Sequence, residues 1–436
     1  MRIKTFVTVL GSLLGITALV PLNISIARAD ETPPAAGLGT RTEGVAAMQK
    51  IVTAMQNADL GTVSEMYRSS DPVVHVLSAM AIERIHFNLD AATTDAQLCQ
   101  QNLSDKRPAI ALFCGAVEAG NLRLAGQYKA STDKVAELIR TFDGKGMGKR
   151  LENLKALLAS DRATPPLTVE RQAGTLSFDL RQGPTDYILS PTIAAKANGH
   201  ALDLVIDSGA SVVMIGEAQA SHLGVKILGP AGEMEGWLSK GVTGKRGLLE
   251  TLTLGGVTFH NMPVFVVPRQ IALIGINYLA PLGAMRISAS KLTISQDAPA
   301  DTACTTPMLA GSSVFGDDMK LLPQLSVGGK VQPVLLDTGT REYLLGSKTA
   351  LDEVTTLRRD RLEGFGDIGT QMSARARQAK VNLVVSGQPF DIYFDVLADG
   401  NVPWPMIMGA SALRDMDFVL DFSHQQMCFA LHSHLR

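Results

Sequence analysis

The chain has 436 residues, 46% of them hydrophobic and 19% charged, enough apolar content for two or three domain cores and too balanced a composition for a disordered chain. A net charge of −2 and only 5% aromatic residues exclude a strongly basic nucleic-acid surface and stacking platforms for single strands. Arg2 and Lys4 precede an apolar run from Phe6 to Val20, and Ala27-Arg28-Ala29 follows before Asp30. That is the three-part layout of a secretory signal peptide over residues 1–29. An uncleaved anchor is the other reading, although the run falls short of the ~20 residues of a full membrane span. The expectation is an exported protein, periplasmic or secreted, with no stable membrane span after cleavage.

Residues 30–41 read as a flexible leader containing Pro and Gly. From 42 to 161 the pattern is helical: Val45, Met48, Ile51, Val52 and Met55 recur at helical spacing, as do Val74, Leu77, Met80, Ile82 and Ile85. A third apolar run, Ala109 to Ala119, is expected to stop at Gly120, and Leu151, Leu154, Leu157 and Leu158 mark a last helix. Thr164-Pro165-Pro166 ends this all-α domain, because tandem prolines cannot continue a helix. Four cysteines in an oxidising compartment allow three pairings. Cys99 and Cys114 are 15 residues apart, which suits one helical hairpin; Cys304 and Cys428 would then bracket the last domain. No paired Cys/His spacing calls for a metal, and His432-x-His434 reads as a solvated tail.

After a linker and first strand at 162–184, the pattern changes to short strands and Gly-rich turns. Leu176–Phe178, Ile188–Leu189, Ile193–Lys196 and Leu202–Ile206 read as strands, with Asn198-Gly199 a hairpin turn. An internal repeat lies within this half. Leu202-Asp-Leu-Val-Ile-Asp207-Ser208-Gly209-Ala210 aligns with Gln332-Pro-Val-Leu-Leu-Asp337-Thr338-Gly339-Thr340. Each copy has a Gly turn upstream, and Glu235-Gly236-Trp237 answers Glu363-Gly364-Phe365. Leu273-Ile274-Gly275 answers Ile407-Met408-Gly409, at Asp-to-Gly spacings of 68 and 72. The division expected is a first lobe at 185–297 and a second at 298–436.

An aspartate at the exit of a buried strand, followed by a glycine turn, is a rigidly aimed carboxylate. Two related lobes facing one another would bring Asp207 and Asp337 together. Carboxyls about 3 Å apart cannot both ionise easily and share one proton, so one can activate a water while the other protonates a substrate carbonyl. The water attacks, a gem-diol forms, and the amine leaves with a proton. No metal, cofactor or covalent intermediate is needed.

Both copies resemble the active-site loop of the aspartic proteases of the retropepsin and pepsin clan. Strand, D-[ST]-G-[AT], flap hairpin, then apolar-apolar-Gly before a short helix is that family's lobe, and the resemblance spans about residues 185 to 430. It implies an aspartic endopeptidase whose mainly β, two-lobed acid-protease-like catalytic unit, monomeric and acting on peptide or protein substrates, follows the all-α N-terminal domain, which lies outside the resemblance. Asp207 and Asp337 would be the catalytic dyad. Ser208, Gly209, Ala210, Thr338, Gly339 and Thr340 would support the loops, with Ser208 and Thr338 bonded across them, and Gly275 and Gly409 would admit the neighbouring strands. Gly236, Trp237, Gly364 and Phe365 would lie in substrate-binding flaps at 235–247 and 363–370.

Thr340 can hydrogen-bond its aspartate and Ala210 cannot, so Asp337 is expected to ionise more easily. Neither flap has the tyrosine of pepsin-type enzymes. Arg341-Glu342 is unusual directly after the second motif: it would spoil the acid role if Arg341 reached the dyad, whereas the preferred reading points both residues to solvent. The alternatives are a catalytically inactive peptide- or protein-binding module that keeps the fold, and a dyad assembled between two chains. Gly364 to Gly369 fits G-x-G-x-x-G but lacks the apolar strand a dinucleotide site needs. Arg358–Arg361 reads as a solvated helix face. His222 and His260 read as surface or packing residues. The helical domain either recruits substrates or covers the cleft as a prosegment cleaved near Ala163–Pro166.

Overall fold

The structure is a computed structural model that describes residues 41–181, 191–234, 242–296, 304–347, 359–362, 374–397 and 404–433. The signal-peptide segment 1–29, the leader as far as residue 40 and the expected strand Ile188–Leu189 lie outside the described residues, whereas Arg41, the leader's last residue, opens a helix. So do Gly236, Trp237, Gly364 and Phe365. An N-terminal helical region is followed by a mainly β, barrel-like remainder.

Seven helices come first among the described residues: α1 (Arg41–Gln56), α2 (Leu60–Tyr67), α3 (Pro72–Ile85), α4 (Leu89–Leu103), α5 (Pro108–Leu124), α6 (Tyr128–Phe142) and α7 (Lys149–Arg162). Their starts follow local chemistry. The Asp59 carboxylate accepts from Thr62 N at 3.0 Å, and Asp71 accepts from Val73 N at 2.8 Å with Pro72 in the first turn. The Cys99–Cys114 disulfide joins α4 to α5. Gly120 does not end α5, which runs on to Leu124. That glycine serves close approach instead, because a Cβ there would collide with the Val314 carbonyl.

The two β repeats share one set of pairings. In the first, Thr192–Ala197 forms a hairpin with His200–Asp207 across Asn198 and Gly199, both at positive φ (48° and 83°). His200–Asp207 then runs parallel to Ala272–Gly275, placing Asp207 opposite Gly275. Val213–Gly216 pairs antiparallel with Ala272–Gly275 and parallel with Val257–Val267. Val242–Leu254 joins Val257–Val267 to Lys226–Met234.

In the second repeat, Gln324–Val327 and Lys330–Pro333 form the hairpin. Leu335–Leu336 runs parallel to Met406–Met408, and Leu344–Ser347 bridges Met406–Met408 and Gln388–Leu397 with the same senses. Ala374–Val385 joins Gln388–Leu397 to Arg359–Leu362. Arg359–Arg361 therefore lie on a strand, not a helix face; pairing with the long strand Ala374–Val385 overrides the local charge pattern.

A further five-stranded sheet, in the order Leu176–Asp179, Lys291–Ser295, Ala284–Ile287, Met416–Asp421, Gln426–Leu431, ties the repeats together. Its central pairing sets Ala284 against Asp421 and Ile287 against Phe418. A continuous buried core runs through both repeats and this sheet. The Cys304–Cys428 disulfide anchors the segment between the repeats to the last strand. His432 is no solvated tail residue: its Nε2 lies 2.8 Å from Asp417 Oδ1, while His434 lies outside the described residues.

The helices pack directly onto the β half. Their core takes in Leu322, Leu335, Trp404 and Ile407, so it presses on the strand that delivers Asp337. Arg84 on α3 is 1% exposed. It donates to Ser312 Oγ at 2.9 Å, Val117 O at 3.1 Å, Asn121 Oδ1 at 3.0 Å and Val314 O at 3.2 Å, and also to Ser313 O. A buried guanidinium is tolerated only with partners of this number, and it stitches α3 and α5 to the segment between the repeats. Among the described residues no helix is long and apolar enough to cross a membrane.

Candidate active site

Strand pairing delivers the two D-[ST]-G loops to one place. Each aspartate ends an apolar strand held by a parallel neighbour, and the chain then turns back on itself: Ala210 N donates to Asp207 O, and Thr340 N to Asp337 O. Gly275 lies so close to the first loop that a Cβ would collide with Ala210 O, and Gly409 is held in the same way against Thr340 O.

Four hydrogen bonds cross between the loops. Ser208 N donates to Thr338 Oγ1 and Thr338 N to Ser208 Oγ, each at 3.0 Å. Ser208 Oγ donates to Leu336 O at 2.9 Å, and Thr338 Oγ1 to Ile206 O at 2.7 Å. Both side chains are fully buried, so each hydroxyl accepts one backbone N–H and donates to one carbonyl, which leaves none of these groups unsatisfied.

The lock sets Asp207 and Asp337 side by side, within hydrogen-bond reach of one another. The glycines leave room for this: a Cβ at Gly209 would strike the Asp337 carboxyl, and one at Gly339 would strike that of Asp207. Asp207 Oδ1 accepts from Gly209 N at 2.9 Å and Ala210 N at 3.1 Å. Asp337 Oδ1 accepts from Gly339 N at 3.0 Å, and its Oδ2 accepts from Thr340 Oγ1 at 2.9 Å.

Burial pushes both carboxyls above the ordinary range. For Asp207 the neighbouring Asp337 charge adds to the rise, and its pKa is raised well above the ordinary carboxyl value. For Asp337 the Thr340 hydroxyl opposes burial by stabilising the carboxylate. Asp207 is raised the further of the two, so Asp337 is the readier to ionise.

Arg341 is not among the causes that shift either aspartate. Its side chain is 35% exposed and its Nε lies 3.8 Å from Glu342 Oε1. Glu342 is buried, so only the arginine of this pair faces solvent. The Arg341 carbonyl accepts from Ser411 Oγ at 2.6 Å. Of the isolated histidines, His222 packs near His200 with ring centroids 5.1 Å apart, and His260 lies 3.3 Å from Glu170. Among the described residues no cluster of three or more His, Cys, Asp or Glu could hold a metal.

Residues 193–278, from the first hairpin to just past Gly275, match the family described as aspartyl protease. That match covers the first repeat alone, so the likeness to aspartic proteases is carried by this segment of the chain. A solved retropepsin-like aspartic protease from Rickettsia conorii is 18% identical, aligned over 30% of this chain and 93% of that one, with a TM-score of 0.21. No curated protein sequence matches the chain.

Sequence reasoning missed two groups near the loops. Ser211 Oγ donates to Asp318 Oδ1 at 2.7 Å and accepts from Met319 N at 3.2 Å, tying the first loop to the segment between the repeats. Arg84 holds that same segment from the helical side. Its signal was a lone arginine within the apolar periodicity of Val74 to Ile85.

Proposed function

We propose that this protein is an aspartic endopeptidase built from both repeats of one chain, with Asp207 and Asp337 as its dyad. The supporting observation is the pair of mutually locked D-[ST]-G loops, each of whose glycines lies against the other loop's buried carboxyl. Asp337, eased toward ionisation by Thr340, is the general base. Asp207, kept protonated by burial and by its neighbour's charge, is the general acid.

A water between them gives its proton to Asp337 as its oxygen bonds to the scissile carbonyl carbon. Asp207 donates its proton to the carbonyl oxygen, giving a gem-diol. The C–N bond then breaks: the nitrogen takes the proton from Asp337, a diol hydroxyl returns one to Asp207, and a carboxylic acid and an amine leave. The substrate is an extended polypeptide across the dyad, covered by flaps at 235–247 and 363–370. The first lobe is assigned to 185–297 and the second to 298–436, with the helical region at 42–161. Because both aspartates lie on one chain, a monomer suffices. Residues 1–29 direct export, and N-terminal sequencing of protein recovered from outside the cytoplasm should start near Asp30.

The test is hydrolysis of a mixed peptide library by the mature protein from pH 3 to 8, with and without a statine-type transition-state mimic. Cleavage blocked by the mimic is expected to fall about 10³-fold or more in Asp207→Asn and in Asp337→Asn alike. Cleavage that survives either substitution overturns the shared dyad. No cleavage by the wild type at any pH would make the protein a peptide-binding module.

A further inference from the structure

Two cavities lie beside the dyad loops, and the internal repeat relates them. One is lined by Ser211, Val212 and Val213, the residues directly after the first loop; the other is lined by Arg341, Glu342 and Tyr343, directly after the second. Beyond these the two part company. The second cavity, about 350 Å³, has a mostly charged lining that includes Asp391, Asp395 and Arg414. The first is larger, about 510 Å³, and much of its wall comes from α6, α7 and the Thr164–Leu167 linker, outside the repeat altogether.

Resting on the protease reading, we propose that the larger cavity is the far end of the substrate groove. It accepts a large apolar side chain of an extended polypeptide, several residues from the scissile bond, with the helical region as its outer wall. The position follows from the chain: Ser211 comes directly after Ala210, whose N–H bonds Asp207, and Arg246 and Gly247, also in the lining, belong to the strand Val242–Leu254.

The ligand class follows from the lining, which includes the rings of Tyr128, Tyr278 and Phe265 and the aliphatic Val212 and Leu228. The charged groups there nearly balance, Arg123, Lys129, Arg162 and Arg246 against Asp133, Asp161 and Asp317; Arg123 pairs with Asp161 at 2.6 Å, Lys129 with Asp133 at 2.5 Å, and Arg246 donates to Ser160 Oγ at 2.7 Å. They do not call for a charged ligand.

The wall does not swing away. The Arg84 bonds, the contact of Gly120 with Val314, and Leu335 and Ile407 within the helical core hold the helices against the second repeat and the segment that precedes it. On this reading the helical region is a permanent specificity element, and cutting at Ala163–Pro166 neither releases it nor activates the enzyme.

The experiment compares cleavage of peptides that carry Phe or Ser at each of the positions about two to five residues from the scissile bond. The same peptides, fluorescently labelled, are also titrated into Asp207→Asn protein. Ser160→Trp and Thr132→Trp fill the cavity from α7 and α6, and thermal melts confirm that each variant is folded.

Wild type is expected to prefer Phe over Ser about tenfold in kcat/KM at one distal position, the worth of one buried apolar side chain. The preference should fall below about twofold in both tryptophan variants, through KM and not kcat. Cleavage with an unchanged preference in both folded variants overturns the cavity proposal and leaves the protease intact. Binding to Asp207→Asn that prefers Phe and is lost on adding either tryptophan, without cleavage by wild type, upholds the cavity and overturns the protease. Neither binding nor cleavage overturns both.

Discussion

The two D-[ST]-G loops share a backbone path and a hydrogen-bond lock, yet they differ where it affects protons. After its glycine the first loop has Ala210 and the second Thr340, and the Thr340 hydroxyl reaches Asp337 Oδ2 at 2.9 Å with no counterpart on Asp207. The residue after that differs too: Ser211 is bound to the segment between the repeats, whereas Arg341 leans toward solvent. Near-symmetric scaffolding thus surrounds two carboxyls raised to different extents, and the hydroxyl that Thr340 has and Ala210 lacks favours ionisation of Asp337.

Three experiments bear on this comparison. The harshest removes what the loops share. Ser208→Ala combined with Thr338→Val deletes all four cross-loop bonds and is expected to lower kcat by about 10²-fold or more through misplacement of the dyad. It should also destabilise the protein by about 1–3 kcal/mol for each buried backbone group left without a partner. Full activity in a correctly folded double variant would mean that the lock does not position the dyad.

A milder change alters what they do not share. Thr340→Val removes the donor that stabilises ionised Asp337, so the acidic limb of kcat/KM should move to higher pH. Ala210→Thr offers Asp207 a matching donor, so the alkaline limb should move to lower pH. Limbs that stay in place in both variants would break the assignment of base and acid.

The smallest effect is on stability. The pKa of Asp207 is raised on folding, so the native state keeps that proton to higher pH than the unfolded chain does. Stability is therefore lost as pH rises from the ordinary carboxyl value, about 3.9, through the raised one. Asp207→Asn cannot ionise, and its advantage over wild type in urea melts should grow between pH 3.5 and 7. Asp337→Asn should gain less.

Much of the β half was legible because its determinants are local: the Asn198-Gly199 turn, the apolar strands ending at Asp207 and Asp337, and glycines at 275 and 409 where strands crowd the loops. Pairing decided what local pattern could not. Arg359–Leu362 became a strand because a long neighbour offered it a ladder, and α5 passed through Gly120 because a carbonyl from nearly two hundred residues away needed the space. Arg84 was hidden for the same reason. Its partners Ser312, Ser313 and Val314 are distant in sequence, so nothing near it indicates what it binds. The helical wall of the larger cavity was invisible because it arises from docking of two regions with no shared repeat.

The Cys304–Cys428 bond closes a loop with a sequence separation of 124, and that loop contains the whole second repeat, Asp337 included. Half of the dyad therefore sits on a covalent ring. In chain-entropy terms such a ring removes about 5 kcal/mol of freedom from the unfolded chain. Its greater consequence is topological. One backbone cut anywhere between the two cysteines opens the ring without releasing a fragment, so a nicked molecule keeps both aspartates tethered and migrates as one species until the disulfide is reduced.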